Sequence, residues 1–214
     1  MVELLPNWPT LGAFLAASII LAVTPGPAVF YIVTRSLAQG RFSGLACVAG
    51  VALGNLGNAF AAALGLAAWL ALSSIAFTTI KYVGAGYLIY LGLRTLLSPP
   101  AEISEPLVPQ ADLLQIFRDA FTVALLNPKT TIFFAAFVPQ FMGTQSVRQS
   151  MLLGSIFVVI ATITDTMYAL AAGAMAPTLQ KAPRVRALSR GGSAGVFLGL
   201  GLYTAFGSLH RPQR

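Results

Sequence analysis

The sequence predicts an all-α integral membrane protein: six transmembrane helices arranged as two inverted three-helix repeats, with helices one and four broken near mid-span. Three observations carry this. The 214 residues are 57% hydrophobic and only 9% charged, whereas soluble domains carry about 25% charged residues. The apolar residues gather into six runs of membrane-spanning length. Two of those runs are interrupted by a proline that follows a capping residue, Thr24-Pro25-Gly26-Pro27 in the first and Asn127-Pro128-Lys129 in the fourth.

A helix needs about 20 apolar residues to cross the hydrocarbon core. The runs lie at roughly 11–33, 42–69, 75–97, 119–142, 151–176 and 191–209. The second and third are the least clearly separated, by Ser73, Ser74 and the stretch Thr78-Thr79-Ile80-Lys81. The one long extramembrane loop, about 98–116, holds Pro99, Pro100, Pro106 and Pro109 with Glu102, Glu105 and Asp112. It divides a single transporter domain (1–214) into repeat one, about 10–97, and repeat two, about 117–210. GYLIYLGLRTL from Gly86 aligns with GVFLGLGLYTA from Gly195, and Thr24-Pro25 aligns with Asn127-Pro128 at a similar offset. Three helices per repeat force the second to insert upside down relative to the first.

The formal charge of +7 does not point to nucleic acid, because the basic residues lie in the loops between spans. Loops one, three and five hold eight of them and the opposite side holds four, a bias that places the odd-numbered loops in the cytoplasm. Glu3 and an apolar run without a small-residue cleavage site are unlike a cleaved signal peptide. A single cysteine, Cys47, leaves no disulfide or redox pair within the chain. A single histidine, His210, argues against a transition-metal centre. No nucleophile–base pair is visible, so neither an enzyme, a cofactor nor a catalytic residue is expected.

A proline lacks the N–H that would bond four residues back. Pro25, Pro27 and Pro128 therefore free the carbonyls of Leu21, Val23 and Ala124. Unpaired carbonyls in hydrocarbon cost several kcal/mol each, and such breaks survive where they line protein or a water-filled cavity. Read as caps, Thr24 and Asn127 each start a half-helix, with proline at the first helical position. The positive helix ends suit a carboxylate, Gly26 permits close approach, and the freed carbonyls suit an ammonium. Together they suit a zwitterionic α-amino acid. The plainer reading is two proline kinks satisfied by neighbouring helices.

Lys129 and Asp165 are the charges placed well inside spans. Either they form an ion pair that locks helices four and five, or Lys129 takes a substrate carboxylate and Asp165 an ammonium or a coupling proton. Asn55 and Asn58 share one face of helix two and either bind substrate or bridge helices. The Gly50-xxx-Gly54 and Gly191-xxx-Gly195-xxx-Gly199 ladders read as close helix packing. Trp8 and Trp69 read as interfacial anchors, and Tyr168 either lines the cavity or packs.

These residues, over most of the chain, resemble the LysE/RhtB family of bacterial amino-acid exporters. The resemblance rests on TPGPAVFYIVTRSLAQGRFSG at 24–44, GVALGN at 50–55, KYVGAGYLIYLGLR at 81–94, NPKTTIFFAAFVPQF at 127–141 and the TD..Y pattern at 164–168. It implies six helices in two inverted repeats in the bacterial inner membrane. It also implies export of amino acids or derivatives, such as homoserine, threonine, leucine or lysine, by proton antiport. Thr24 to Pro27, Asn127 to Lys129 and Asp165 fall on the family's polar and broken-helix positions. Many relatives carry a carboxylate where this chain has Asn55, so one lysine and one aspartate suit a neutral amino acid. The expected partners are an amino-acid substrate, a proton and the lipid bilayer, with homo-oligomerisation left open. Inorganic cation efflux is the alternative within transport, and a membrane scaffold the alternative outside it.

Overall fold

A computed structural model describes residues 5–65, 74–97, 112–142 and 147–180, with six further helical positions between 195 and 205. Every element among the described residues is helical. In order they are α1 (Trp8–Val23), α2 (Pro27–Gln39), α3 (Arg41–Ala63), α4 (Ser74–Leu97), α5 (Leu113–Leu125), α6 (Pro128–Ile132) and α7 (Val147–Gln180).

The boundaries follow from local chemistry. Asn7 caps α1, its side chain accepting from the Thr10 N–H at 3.0 Å, and Asp112 caps α5 by accepting from Gln115 at 3.1 Å. Gly40 joins α2 to α3 with φ of 86°, a left-handed conformation that glycine adopts without strain. Beyond Ile132 the α6 turn widens into a π-turn at Phe133–Phe137 and then tightens into a 3-10 turn at Val138–Phe141. Pro139 explains the change of register, because it offers no N–H to the carbonyl of Ala135.

Two helices, α3 and the Val147–Pro177 part of α7, are individually long and apolar enough to cross a membrane. Two bent pairs meet the same length and composition when each is taken together: α1 with α2, bent by 47°, and α5 with Pro128–Phe141, bent by 46°. The bends fall at the two predicted proline breaks. The third expected run coincides with the single 24-residue helix α4, which is not among the helices that meet the length and apolarity of a span. Most of the sixth, Trp69 and most of the 98–116 loop lie outside the described residues.

The α3 helix runs through the centre, packed against α2, α5 and α7. Its glycines permit this. A Cβ on Gly50 would stand 2.3 Å from the Phe117 carbonyl oxygen, and one on Gly54 would stand 2.7 Å from the Phe121 carbonyl and the Ala124 methyl. The Gly50-xxx-Gly54 ladder is thus a close helix contact, as its spacing suggested. The core forms two apolar clusters on either side of the breaks. One joins α2, α3, α4 and α5 around Tyr31, Val51 and Leu91. The other joins α1, α3, α6 and α7 around Phe14, Phe134 and Phe157. Large apolar side chains also face outward along the helices, among them Ile20, Ile75 and Met167, as a lipid-facing rim requires. Trp8 stands at the start of α1 and is 85% exposed, where an interfacial anchor belongs.

Replacing Gly54 with leucine is expected to lower stability by at least ~1–3 kcal/mol through overpacking of the α3–α5 crossing. The check is the thermal midpoint of the detergent-purified protein. An unchanged midpoint would remove the close-packing role.

Candidate functional site

The two breaks lie side by side, and their freed carbonyls are paired by side chains from the other half of the chain. Lys129, at the start of α6, donates from Nζ to the carbonyls of Leu21 (2.8 Å) and Thr24 at the end of α1. Tyr168 on α7 donates its hydroxyl to the carbonyl of Val23 at 2.9 Å. In the reverse direction Asn58 on α3 donates from Nδ2 to the carbonyl of Ala124 at 3.0 Å. The three carbonyls expected to lose their partners thus all receive side-chain donors, and Ala124 also accepts the Asn127 backbone N–H at 3.2 Å.

The local geometry of the second break is as its sequence suggests. Asn127 is the N-cap of α6, its side chain accepting from the Lys129 N–H at 3.1 Å, with Pro128 next. The first break differs. Thr24 is not the N-cap of a half-helix but the C-cap of α1, and its hydroxyl donates back to the Ile20 carbonyl at 2.6 Å. Gly26 occupies the N-cap of α2 and offers no side-chain hydrogen bond. The reason is the second proline: Pro27 takes the first helical position, so the cap falls one residue before it, on Gly26. The N–H groups of Ala28 and Val29 in the first turn of α2 consequently lack a capping side chain.

A cavity of about 40 Å³ opens at this junction. Gly26, Ala28, Val29, Asn55, Asn127, Lys129 and Asp165 line it with several apolar side chains. Five of the predicted site residues therefore meet here: Gly26, Asn55, Asn127, Lys129 and Asp165. Pro27 and Pro128 instead border a second, smaller cavity, which Asn127 shares. Thr24 and Pro25 are exposed, and Asn58 is committed to the Ala124 carbonyl, so its helix-bridging alternative holds.

The charges are disposed unexpectedly. Lys129 and Asp165 form no ion pair among the described residues, since the ammonium goes to backbone carbonyls instead. Asp165 is only 5% exposed and has neither a hydrogen bond nor an ion pair to a described residue. The Asn55 side chain is also buried, and its Oδ1 accepts no hydrogen bond. Neighbouring Thr162, Thr164 and Thr166 on α7 satisfy their hydroxyls on carbonyls of their own helix. The polar character of that face is thereby internal.

A second polar cluster went unread in the sequence. Asp119 on α5 is buried, so Lys129 and Asp165 are not the only charges within spans. It accepts from the hydroxyls of Tyr87 (3.0 Å) and Tyr31 (3.5 Å) and lies 3.5 Å from Arg94 and 3.9 Å from Arg35. Arg35 and Arg94 count as loop charges by position, yet both reach inward to this carboxylate. Tyr31 and Arg35, four apart on α2 and hydrogen-bonded at 3.2 Å, were the available signal.

The described chain is therefore a helical membrane protein whose bent helices enclose a cavity with donors and acceptors of both charge signs. The family model for LysE type translocators matches residues 19–208, and the chain belongs to that family. It is 31% identical over 180 residues to the homoserine/homoserine lactone efflux protein of Salmonella typhi, covering 83% of this chain and 87% of that one. It is 29% identical over 156 residues to the leucine efflux protein of Salmonella choleraesuis, covering 71% and 70%. An uncharacterized membrane protein of Pseudomonas aeruginosa is 29% identical over 220 residues, covering 94% and 99%. No solved structure matches the chain.

Removing the Tyr168 hydroxyl leaves the Val23 carbonyl without its donor. Tyr168→Phe is expected to destabilise the protein by about 0.6–1.7 kcal/mol, the range found for hydrogen bonds between membrane helices. In a Pro27→Ala background the restored N–H should take over much of the bond, and the same substitution should cost less. Equal costs in both backgrounds, measured by thermal unfolding as a double-mutant cycle, would show that the hydroxyl does not substitute for the missing N–H.

Proposed function

We propose that this protein is a secondary active exporter of neutral amino acids or their derivatives, driven by proton antiport across the bacterial inner membrane. The observation that carries the reading is the distribution of polarity in the cavity. One side offers donors: the uncapped start of α2 at Gly26 to Val29 and the remaining N–H of the Lys129 ammonium. Another offers acceptors: Asn55 Oδ1, which accepts no hydrogen bond among the described residues, and the Asp165 carboxylate, which lines the same cavity. A helix N-terminus attracts a carboxylate, and a buried carboxylate beside an amide oxygen attracts an ammonium. A zwitterion with its two charges on one carbon satisfies both. Efflux by the Salmonella relatives, named for homoserine, homoserine lactone and leucine, agrees with a small substrate of that kind.

On this reading substrate enters between two inverted three-helix repeats, about 10–97 and 117–210, with six spans in all and the odd-numbered loops cytoplasmic. The cavity holds about three water molecules at roughly 10–15 Å³ each, less than an amino acid needs. Loading therefore requires the helices to part, and the two bends supply the places where they turn. The apolar second cavity, bordered by Pro27, Leu88 and Pro128, lies where a substrate side chain would extend. Asp165 accepts the coupling proton when substrate leaves, and takes the substrate ammonium when it loads.

The test is efflux from cells and from proteoliposomes under an imposed pH gradient, with a panel of neutral amino acids and toxic analogues. The wild-type chain should confer resistance and gradient-dependent efflux. Asp165→Asn should insert normally yet lose at least about tenfold of the proton-linked rate, a barrier change of ~1.4 kcal/mol. Wild-type rates in that variant would refute the assignment of the proton to Asp165.

A further inference from the structure

We propose that Lys129 sets the charge class of the substrate, because its ammonium occupies a backbone-carbonyl subsite that fits the side-chain ammonium of a basic amino acid. The inference rests on the amino-acid efflux reading and adds to it a reason for excluding cationic side chains.

The subsite is formed by the carbonyls of Leu21 and Thr24, which converge on the Lys129 Nζ. Leu21 is free because Pro25 has no N–H to give it. Two backbone acceptors at one break are fixed in place, cannot be protonated and suit a primary ammonium better than any neutral group. The lysine reaches them along a path cut for its stem. A Cβ on Gly26 would lie 3.2 Å from Lys129 Cδ, so the alkyl chain runs against the one residue of the break that has no side chain. Asp165 lines the same cavity, yet the ammonium is bound to the carbonyls and not to that carboxylate. The chain thus carries its own cation in the subsite and keeps Asp165 and Asn55 Oδ1 open for a second one, the α-ammonium of the substrate.

A substrate with an ammonium at the end of its side chain meets two penalties here. Its second positive charge repels Lys129, and the carbonyls that would receive it are filled. A neutral side chain meets neither. Lys129→Met keeps an unbranched stem beside Gly26 but removes the ammonium, which empties the subsite. Adding Pro25→Ala refills the Leu21 carbonyl with a backbone N–H and closes half of the subsite again.

The matched probes are L-ornithine and L-norvaline, which have the same three-carbon side chain with and without a terminal ammonium. Binding of both to the full-length detergent-purified protein is measured by isothermal titration calorimetry. Wild type should prefer norvaline. In K129M the ornithine-to-norvaline affinity ratio should rise about tenfold, in keeping with hydrogen bonds to a charged group, and P25A/K129M should lose part of that rise. Where K129M does not accumulate, Lys129→Gln, which keeps one neutral donor, should give a smaller rise in the same direction. A ratio that stays level or falls in whichever single variant accumulates overturns the proposal while leaving norvaline binding, and so the efflux reading, intact. A rise that persists undiminished in P25A/K129M also overturns it, because the Leu21 carbonyl would then play no part. A wild-type protein that binds neither probe nor any amino acid of the panel overturns the efflux reading and this proposal together.

Discussion

Proline in an apolar span leaves a carbonyl that water cannot reach, and the paired breaks of this chain depend on how those carbonyls are satisfied. Leu21, Val23 and Ala124 each lose a backbone donor and each receives a side-chain donor from the opposite half: Lys129, Tyr168 and Asn58. Pairing within one half would have left two independent kinked spans. Pairing across the halves makes the breaks mutually dependent, so that the α1–α2 bend is held open by residues of α6 and α7, and the α5–α6 bend by a residue of α3. A hydrogen bond between membrane helices contributes only about 0.6 kcal/mol on average. Three such links hold the junction in register at a cost small enough for the differential affinity of a small ligand to offset, as the proposed function requires.

The cavity follows from the same constraint. Bending two spans by more than 40° at one level leaves space that straight helices would fill. The residues at the breaks border that space together with others from α3 and α7, among them Asn55 and Asp165. Gly26 supplies an uncapped helix start there because Pro27 claims the first helical position, and Asn127 closes its own helix start with its side chain. The two breaks, alike in sequence, are therefore unlike in chemistry. The first presents to the cavity a helix start that no side chain caps. The second contributes a cation on a capped turn. Such asymmetry is what a site needs to orient a molecule with one positive and one negative end.

Most of the fold and part of the site were legible in the sequence. The apolar runs and prolines locate the bends, because hydrophobic length and a missing N–H act locally and leave a local record. Lys129 and Asp165 stand out because a charge in a span is costly wherever it points. What could not be read was partnership. Nothing in the spacing says that Lys129 would choose carbonyls a hundred residues away over Asp165, or that Asn58 would bridge helices and Asn55 would face the cavity. Asp119 was hidden for a related reason. It falls at the edge of an apolar run beside Arg118, where a charge looks solvated, and only the convergence of α2, α4 and α5 shows it buried among Tyr31, Tyr87, Arg35 and Arg94.

The Asp119 cluster joins α2, α4 and α5, the carbonyl junction joins α1, α3, α5, α6 and α7, and the two differ in kind. Two arginines and two tyrosine hydroxyls surround one carboxylate, three of them within hydrogen-bond distance and the fourth, Arg35, at 3.9 Å. The junction is unsaturated: Asp165 and Asn55 Oδ1 accept nothing from the described residues. A protein built only to hold helices together would gain by satisfying those groups too, since a buried acceptor without a donor costs roughly 1–3 kcal/mol. Unanswered acceptors beside a small cavity are instead what a binding site leaves for its ligand. The Asp119 cluster ties α2 to α4 and α5 by side chains alone.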